Sequence, residues 1–123
     1  EKYLEQGYSD YLKKKGVSVF GPSKKASKLE SSKSFSKRFL NKYKIKTAMF
    51  KTFTKPELAL EYTAGLPLPI VIKADGLAAG KGVTICKSKS QILNVSNEIF
   101  KGKFKSSRKI VIQVYNIDQK IIC

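Results

Sequence analysis

The chain has 123 residues, about one domain's worth, and its 25 Lys and Arg against 9 Asp and Glu give a formal net charge of +16. Leu, Ile, Val and Phe number 10, 11, 7 and 7, enough for a hydrophobic core and too many for a disordered chain. With no His, and with Cys86 and Cys123 far apart, zinc, haem and Cys–His catalysis lose their ligands or base, and no apolar run approaches the roughly 20 residues of a membrane helix.

In chain order, Leu4, Tyr8, Tyr11 and Leu12 recur at helical spacing, so a first helix is predicted over 2–15, stopped by Gly16. Val17–Phe20 reads as a short strand broken by Gly21-Pro22-Ser23. Ser27 and Glu30 have capping-box spacing ahead of a helix carrying Phe35, Phe39, Leu40 and Tyr43 and ending near Lys44, with a small linker at Ser31-Ser32. Met49–Phe53 is extended. Thr54 and Glu57 form a second box over Leu58, Ala59 and Tyr62, with Gly65 as the stop.

Ile70–Lys73 is a β-branched run of the length of a buried strand, and Val83–Cys86 resumes strand character after the loop 74–82. Ser88 with Gln91 opens a helix through Ile92, Leu93, Ile99 and Phe100 that Gly102 stops, and Ile110–Ile112 with Val114 and Tyr115 makes the last strand. Strands alternating with helices of these lengths predict an α/β or α+β chain without internal repeats.

The positive charge suits nucleic acid, anionic lipid or phosphorylated small molecules. Only Arg38 and Arg108 among the cations are arginine, whereas base-reading surfaces favour its planar fork, so much of the charge reads as solvated lysine faces. The informative segment is Lys73, at the end of a strand, followed by a loop with Gly76, Gly80, Gly82 and Lys81. Glycines let successive N–H groups turn toward an anion, and lysines add charge. The loop is not a P-loop: Gly76 to Gly80-Lys81 is one residue short, Gly82 stands where Ser or Thr belongs, and a strand follows where a helix should. From the residues alone it is either a phosphate-covering flap or a glycine hairpin. From the residues alone Lys33 reads first as solvating a helix face, Lys73 as either a functional cation or half of a buried salt bridge, and Asp75 first as capping or tightening the loop.

Lys73-Ala74-Asp75-Gly76-Leu77-Ala78-Ala79-Gly80-Lys81-Gly82-Val83, with Gly21-Pro22-Ser23, Glu30-Ser31-Ser32-Lys33-Ser34-Phe35 and Ile45-Lys46-Thr47-Ala48 upstream, resembles the phosphoribosylamine–glycine ligases, which are ATP-grasp enzymes. The resemblance implies an ATP-grasp fold with a small lid subdomain. It also implies a reaction in which ATP phosphorylates glycine and the amine of 5-phosphoribosylamine displaces phosphate from the glycyl phosphate, with Mg²⁺ (or Mn²⁺) as the metal. By that pattern Lys33 and Lys73 contact ATP phosphates, and Asp75, Gly76, Gly80, Lys81 and Gly82 belong to the loop that closes over them. The backbone of Gln113, Val114 and Tyr115 stands where the family binds adenine.

The hinge departs from the family's Glu-Glu-Phe-Leu pattern, so the carboxylate normally offered to ribose is replaced by Gln113, Val114 or Gln119. The resemblance further implies an internal fragment: 1–20 the end of an N-terminal substrate-binding domain, 21–46 the entry helices of the grasp domain, 47–112 the lid, and 113–123 a divergent hinge and truncated end. Metal ligands and acceptor contacts are expected outside it, so the isolated chain should bind ATP weakly and form no product. A cytoplasmic setting follows by default, with no membrane partner and no specific nucleic acid. The competing expectations are another ATP-grasp carboxylate–amine ligase, a noncatalytic remnant packed on another subunit, and a basic nucleic-acid-binding module.

Overall fold

The computed structural model of the chain describes residues 1–104 and 108–115. Six helices and four strands are defined among them: α1 Lys2–Glu5, α2 Tyr8–Lys14, α3 Lys24–Ser31, α4 Lys33–Lys42, β1 Phe50–Phe53, α5 Pro56–Ala64, β2 Ile70–Ala74, β3 Val83–Cys86, α6 Lys89–Phe100 and β4 Ile110–Val114. The strands form one fully antiparallel sheet in the order β1-β4-β2-β3.

Alternation along the strands explains the layers. Ile70, Ile72 and Ala74 of β2, Ile110 and Ile112 of β4, Phe53 of β1 and Cys86 of β3 point to one face, where they pack with Ala59 of α5 and Ile92 and Ile99 of α6. All of these core residues but Phe53 are at most 2 % exposed, so this face is dry. Burying each Ile contributes about 1.5–3 kcal/mol. Val71 and Lys73, with Val111 and Gln113 opposite them on β4, necessarily face the other way. That second face looks toward α3, α4 and the β2–β3 loop.

Several helix ends differ from the sequence expectation, each for a local reason. The first helix breaks at Gly7, whose φ of +90° no continuous helix accommodates. It ends as predicted at Gly16 (φ +77°), where Gly16 N–H donates to Lys13 O and Val17 N–H to Leu12 O, a Schellman closure. Residues 17–20 form no strand: the described sheet offers them no ladder, and Phe20 is fully exposed.

The cap of α3 is Ser23, whose hydroxyl accepts from Ala26 N–H at 3.1 Å, and not Ser27. Ser27 lies within the helix and donates to Lys24 O and Leu4 O. The break expected at Ser31-Ser32 is present, with Ser32 capping α4 through Phe35 N–H. Helix α4 closes at Lys44, where Lys44 N–H donates to Asn41 O and Ile45 N–H to Leu40 O; Lys44 therefore takes φ +55°, a role usually given to Gly. The Thr54–Glu57 box is not used, because Pro56 opens α5 with Lys55 at the cap position and no side-chain cap bond. At the Ser88–Gln91 box Gln91 N–H donates to the capping Ser88 Oγ, while Gln91 Oε1 accepts from Lys87 N–H, one residue before the cap.

Candidate functional site

The polar face of the sheet floors a cavity of about 530 Å³, walled by α4, the segment 46–48 and the β2–β3 loop. Strand alternation brings Lys73 and Gln113 into it, and helical spacing brings Lys33 and Lys37, one turn apart on α4. Gly76 and Gly80 of the loop line it as well, as do Lys46, Thr47, Glu1 and Glu30.

The loop is built as a turn. Ala79 (φ +48°) and Gly80 (φ +75°) occupy its centre and Lys81 N–H donates back to Ala78 O at 2.9 Å, the pattern of a type I′ turn. At its base Ala74 N–H donates to Gly82 O at 2.7 Å. A Cβ on Gly82 would stand 2.6 Å from Ala78 Cβ and 3.3 Å from Ala74 Cβ, so the close return of the loop requires glycine there.

The charges divide into one satisfied carboxylate and a set of crowded ammoniums. Asp75 is buried; its Oδ1 accepts from Ser34 N–H at 3.0 Å and Ser32 Oγ at 3.2 Å, and its Oδ2 accepts from Ser34 Oγ. Burial pushes this carboxyl's pKa up, but the donors from Ser34 and Ser32, aided by Lys109 at 3.8 Å, outweigh it and leave the pKa below its ordinary value. Lys33 Nζ donates to Gly76 O at 3.0 Å, fastening the loop to α4. Burial lowers the pKa of Lys73, and the ammonium of Lys33 lowers it further; burial and then Lys73 do the same to Lys37. Four lysines on one cavity, two of them disfavoured as cations by burial and by a neighbouring ammonium, suit an anionic ligand.

Of the residues singled out from the sequence, Lys33, Lys73, Gly76, Gly80 and Gln113 line the cavity. Asp75 lies beneath it in the clasp with α4, and Gly82 is buried at the loop base. Lys81 is exposed on the loop rim. Val114 is half-buried and Tyr115 exposed, and Tyr115 N–H is committed to Pro69 O at 3.1 Å. Gln119 and Cys123 lie outside the described residues. Lys37 went unremarked in the sequence, although its position four residues after Lys33 on a helix was the available signal. Among the described residues no group of three or more His, Cys, Asp or Glu could hold a metal ion, and no helix is long and apolar enough to cross a membrane.

The antiparallel sheet with its basic loop-covered face is the fold of ATP-grasp proteins. It matches the crystal structure of a D-alanine–D-alanine ligase from Bacillus anthracis with a TM-score of 0.77 and 26% identity, over 94% of this chain and 37% of that one. The match to the crystal structure of a phosphoribosylamine–glycine ligase from Thermotoga maritima has a TM-score of 0.74 and 40% identity, over 79% of this chain and 25% of that one. Residues 31–117 match the phosphoribosylglycinamide synthetase ATP-grasp (A) domain, and the chain belongs to that family. The phosphoribosylamine–glycine ligase of Clostridium acetobutylicum is 46% identical over 120 residues, which are 94% of this chain and 28% of that relative. The chain thus spans between a quarter and a third of the length of that relative.

Proposed function

We propose that this chain supplies the phosphate-binding part of an ATP-dependent ligase of purine biosynthesis that joins glycine to 5-phosphoribosylamine through a glycyl phosphate, giving glycinamide ribonucleotide, ADP and phosphate. The observation that carries it is the convergence of Lys33 and Lys73 on one cavity beneath the Gly76–Gly80 turn. Attack of a carboxylate on a γ-phosphate brings two anions together, so the site must offset repulsion and hold the reactants in line. A lysine about 4 Å from a phosphate charge contributes about 4 kcal/mol at an effective dielectric near 20, before desolvation is subtracted.

In this reading Lys33 and Lys73 hold the ATP phosphates, and Gly76, Gly80, Lys81 and Gly82 belong to a lid that closes over them. Lid closure would keep water from the acyl phosphate. Asp75 holds the lid's base, Gln113 supplies a polar group to the cavity, and the strand end at Val114 and Tyr115 borders the base. With Tyr115 N–H engaged by Pro69 O, adenine would have to be met by other backbone groups of this segment. The described acids offer no ligand set for Mg²⁺ or Mn²⁺, and none of these roles runs through a metal on this chain.

The same reading divides the chain into the end of a preceding domain (1–20), entry helices (21–46), lid subdomain (47–112) and hinge region (113–123), in a cytoplasmic enzyme. Calorimetric titration of the 123-residue chain with ATP, ADP and AMP tests the phosphate site. Affinity should rise with phosphate number and fall at least tenfold in Lys73→Met. Equal affinities for the three nucleotides, or none, would overturn it. Exchanging residues 1–112 into the C. acetobutylicum relative and assaying glycinamide ribonucleotide tests the reaction, and product should form.

A further inference from the structure

Lys37 occupies an odd position for a structural lysine. It sits on α4 one turn beyond Lys33, half-buried, with its Nζ donating to Thr47 Oγ1 and standing 5.9 Å from the centroid of the Phe50 ring. Among the described residues no carboxylate comes within 4.0 Å of it, and the neighbouring charge that acts on it is another cation, Lys73. An ammonium taken from water costs free energy unless an anion or several acceptors receive it. One hydroxyl and one ring face satisfy only part of a group with three donors.

We propose that Lys37 is a third phosphate-binding residue, acting with Lys33 and Lys73 on a single polyphosphate chain, and that Thr47 holds its ammonium toward the cavity. This rests on the ATP reading above. The ligand class follows from charge. Lys33, Lys37, Lys46 and Lys73 line the cavity against Glu1 and Glu30, an excess of cations that suits a triphosphate better than one phosphate group. The i, i+4 spacing of Lys33 and Lys37 spreads that charge along one helix face, as an extended anion requires.

The test is calorimetric titration of the full chain with inorganic tripolyphosphate and with ATP, near pH 9, in two buffers of different protonation heat. In the free chain burial and Lys73 hold Lys37 below the ordinary lysine range. Phosphate charge would restore its pKa, so binding should take up protons between the two values. Lys37→Met should weaken both ligands at least tenfold and reduce the proton uptake. Lys37→Arg should stay within about threefold of the parent chain, and Thr47→Val, which keeps the charge, should weaken binding about two- to fivefold. Unchanged affinity and proton uptake in a folded Lys37→Met, with the parent chain still preferring ATP over AMP, would overturn the role of Lys37 and leave the ATP reading standing. A parent chain that binds neither ligand would overturn both.

Discussion

The carboxylate of Asp75 accepts the backbone N–H of Ser34 at 3.0 Å, joining the end of β2 to the first turn of α4 across 41 positions of sequence. Two cavity lysines flank this contact: Lys33 precedes Ser34, and Lys73 lies two residues before Asp75. The hydroxyls of Ser32 and Ser34 also donate to the carboxylate, and Asp75 N–H donates to Lys109 O at 2.8 Å. A negative group at the start of α4 additionally meets the positive end of that helix. One buried acid therefore sets the distance between two cations on different elements.

Replacing Asp75 with Ala should lower stability by about 2–4 kcal/mol, because charge-assisted bonds contribute about 1.5–3 kcal/mol each and their loss strands the buried Ser34 N–H. The pH dependence follows from the depressed carboxyl. Its contribution is complete above the unfolded-state pKa of about 3.9 and is lost as pH falls through the lower folded value. Urea denaturation midpoints between pH 6 and 2 should fall more steeply for the parent chain than for Asp75→Asn. Parallel curves would show that the carboxylate is not the titrating clasp.

The strands, the Ser88 cap and the glycine loop could be read from the residues, because alternation, cap chemistry and φ-demanding turns are local. The break at Gly7 and the unpaired 17–20 segment could not. The first depends on packing, since a Cβ at Gly7 would meet the Lys24 side chain at 3.1 Å, and the second on whether a neighbouring strand exists. Lys37 was hidden for a different reason. A lysine at helical spacing is ordinary in a chain with this excess of lysine, and only the sheet behind α4 turns that helix face into a cavity wall.

Two glycines of one loop should respond differently to alanine. At Gly80 the space is open but φ is +75°, so Gly80→Ala should cost about 1–2 kcal/mol of backbone strain and leave the site in place. At Gly82 the new Cβ would press on Ala78 and Ala74, so the loop must move off the strand pair. Gly82→Ala should cost about 1–3 kcal/mol of overpacking and also weaken nucleotide binding at least fivefold. Comparing denaturation with ATP titration for the two variants checks this. Equal binding losses would mean that loop strain, and not the approach at Gly82, controls the site.

Lys73→Met should separate stability from binding. Lys73 is half-buried beside Lys33 and Lys37, and its lowered pKa means that the folded chain holds that proton less tightly than the unfolded chain. By linkage its penalty is present at neutral pH and is relieved as pH rises from the folded value toward the ordinary value of about 10.4. The parent chain should therefore be less stable than Lys73→Met at pH 7, with the gap narrowing as pH rises toward the ordinary lysine value, while ATP binds at least tenfold more weakly to the variant. Loss of both stability and binding in Lys73→Met would make Lys73 a structural residue instead.

Gln113 gives the sharpest separation of base from phosphate. Its side chain is 2% exposed, lines the cavity, and leaves Oε1 without a hydrogen-bond partner among the described residues. A buried orphan acceptor costs about 1–3 kcal/mol, so Gln113→Leu, similar in size, should raise stability by about 1 kcal/mol in denaturant titration. If the acceptor receives a donor from the nucleoside, ATP affinity should fall about three- to tenfold in this variant while inorganic tripolyphosphate binds as before. A parallel loss of both ligands would place Gln113 on the phosphate side of the cavity. Unchanged ATP affinity would remove it from the nucleotide site and leave the orphan oxygen as a cost carried for another reason.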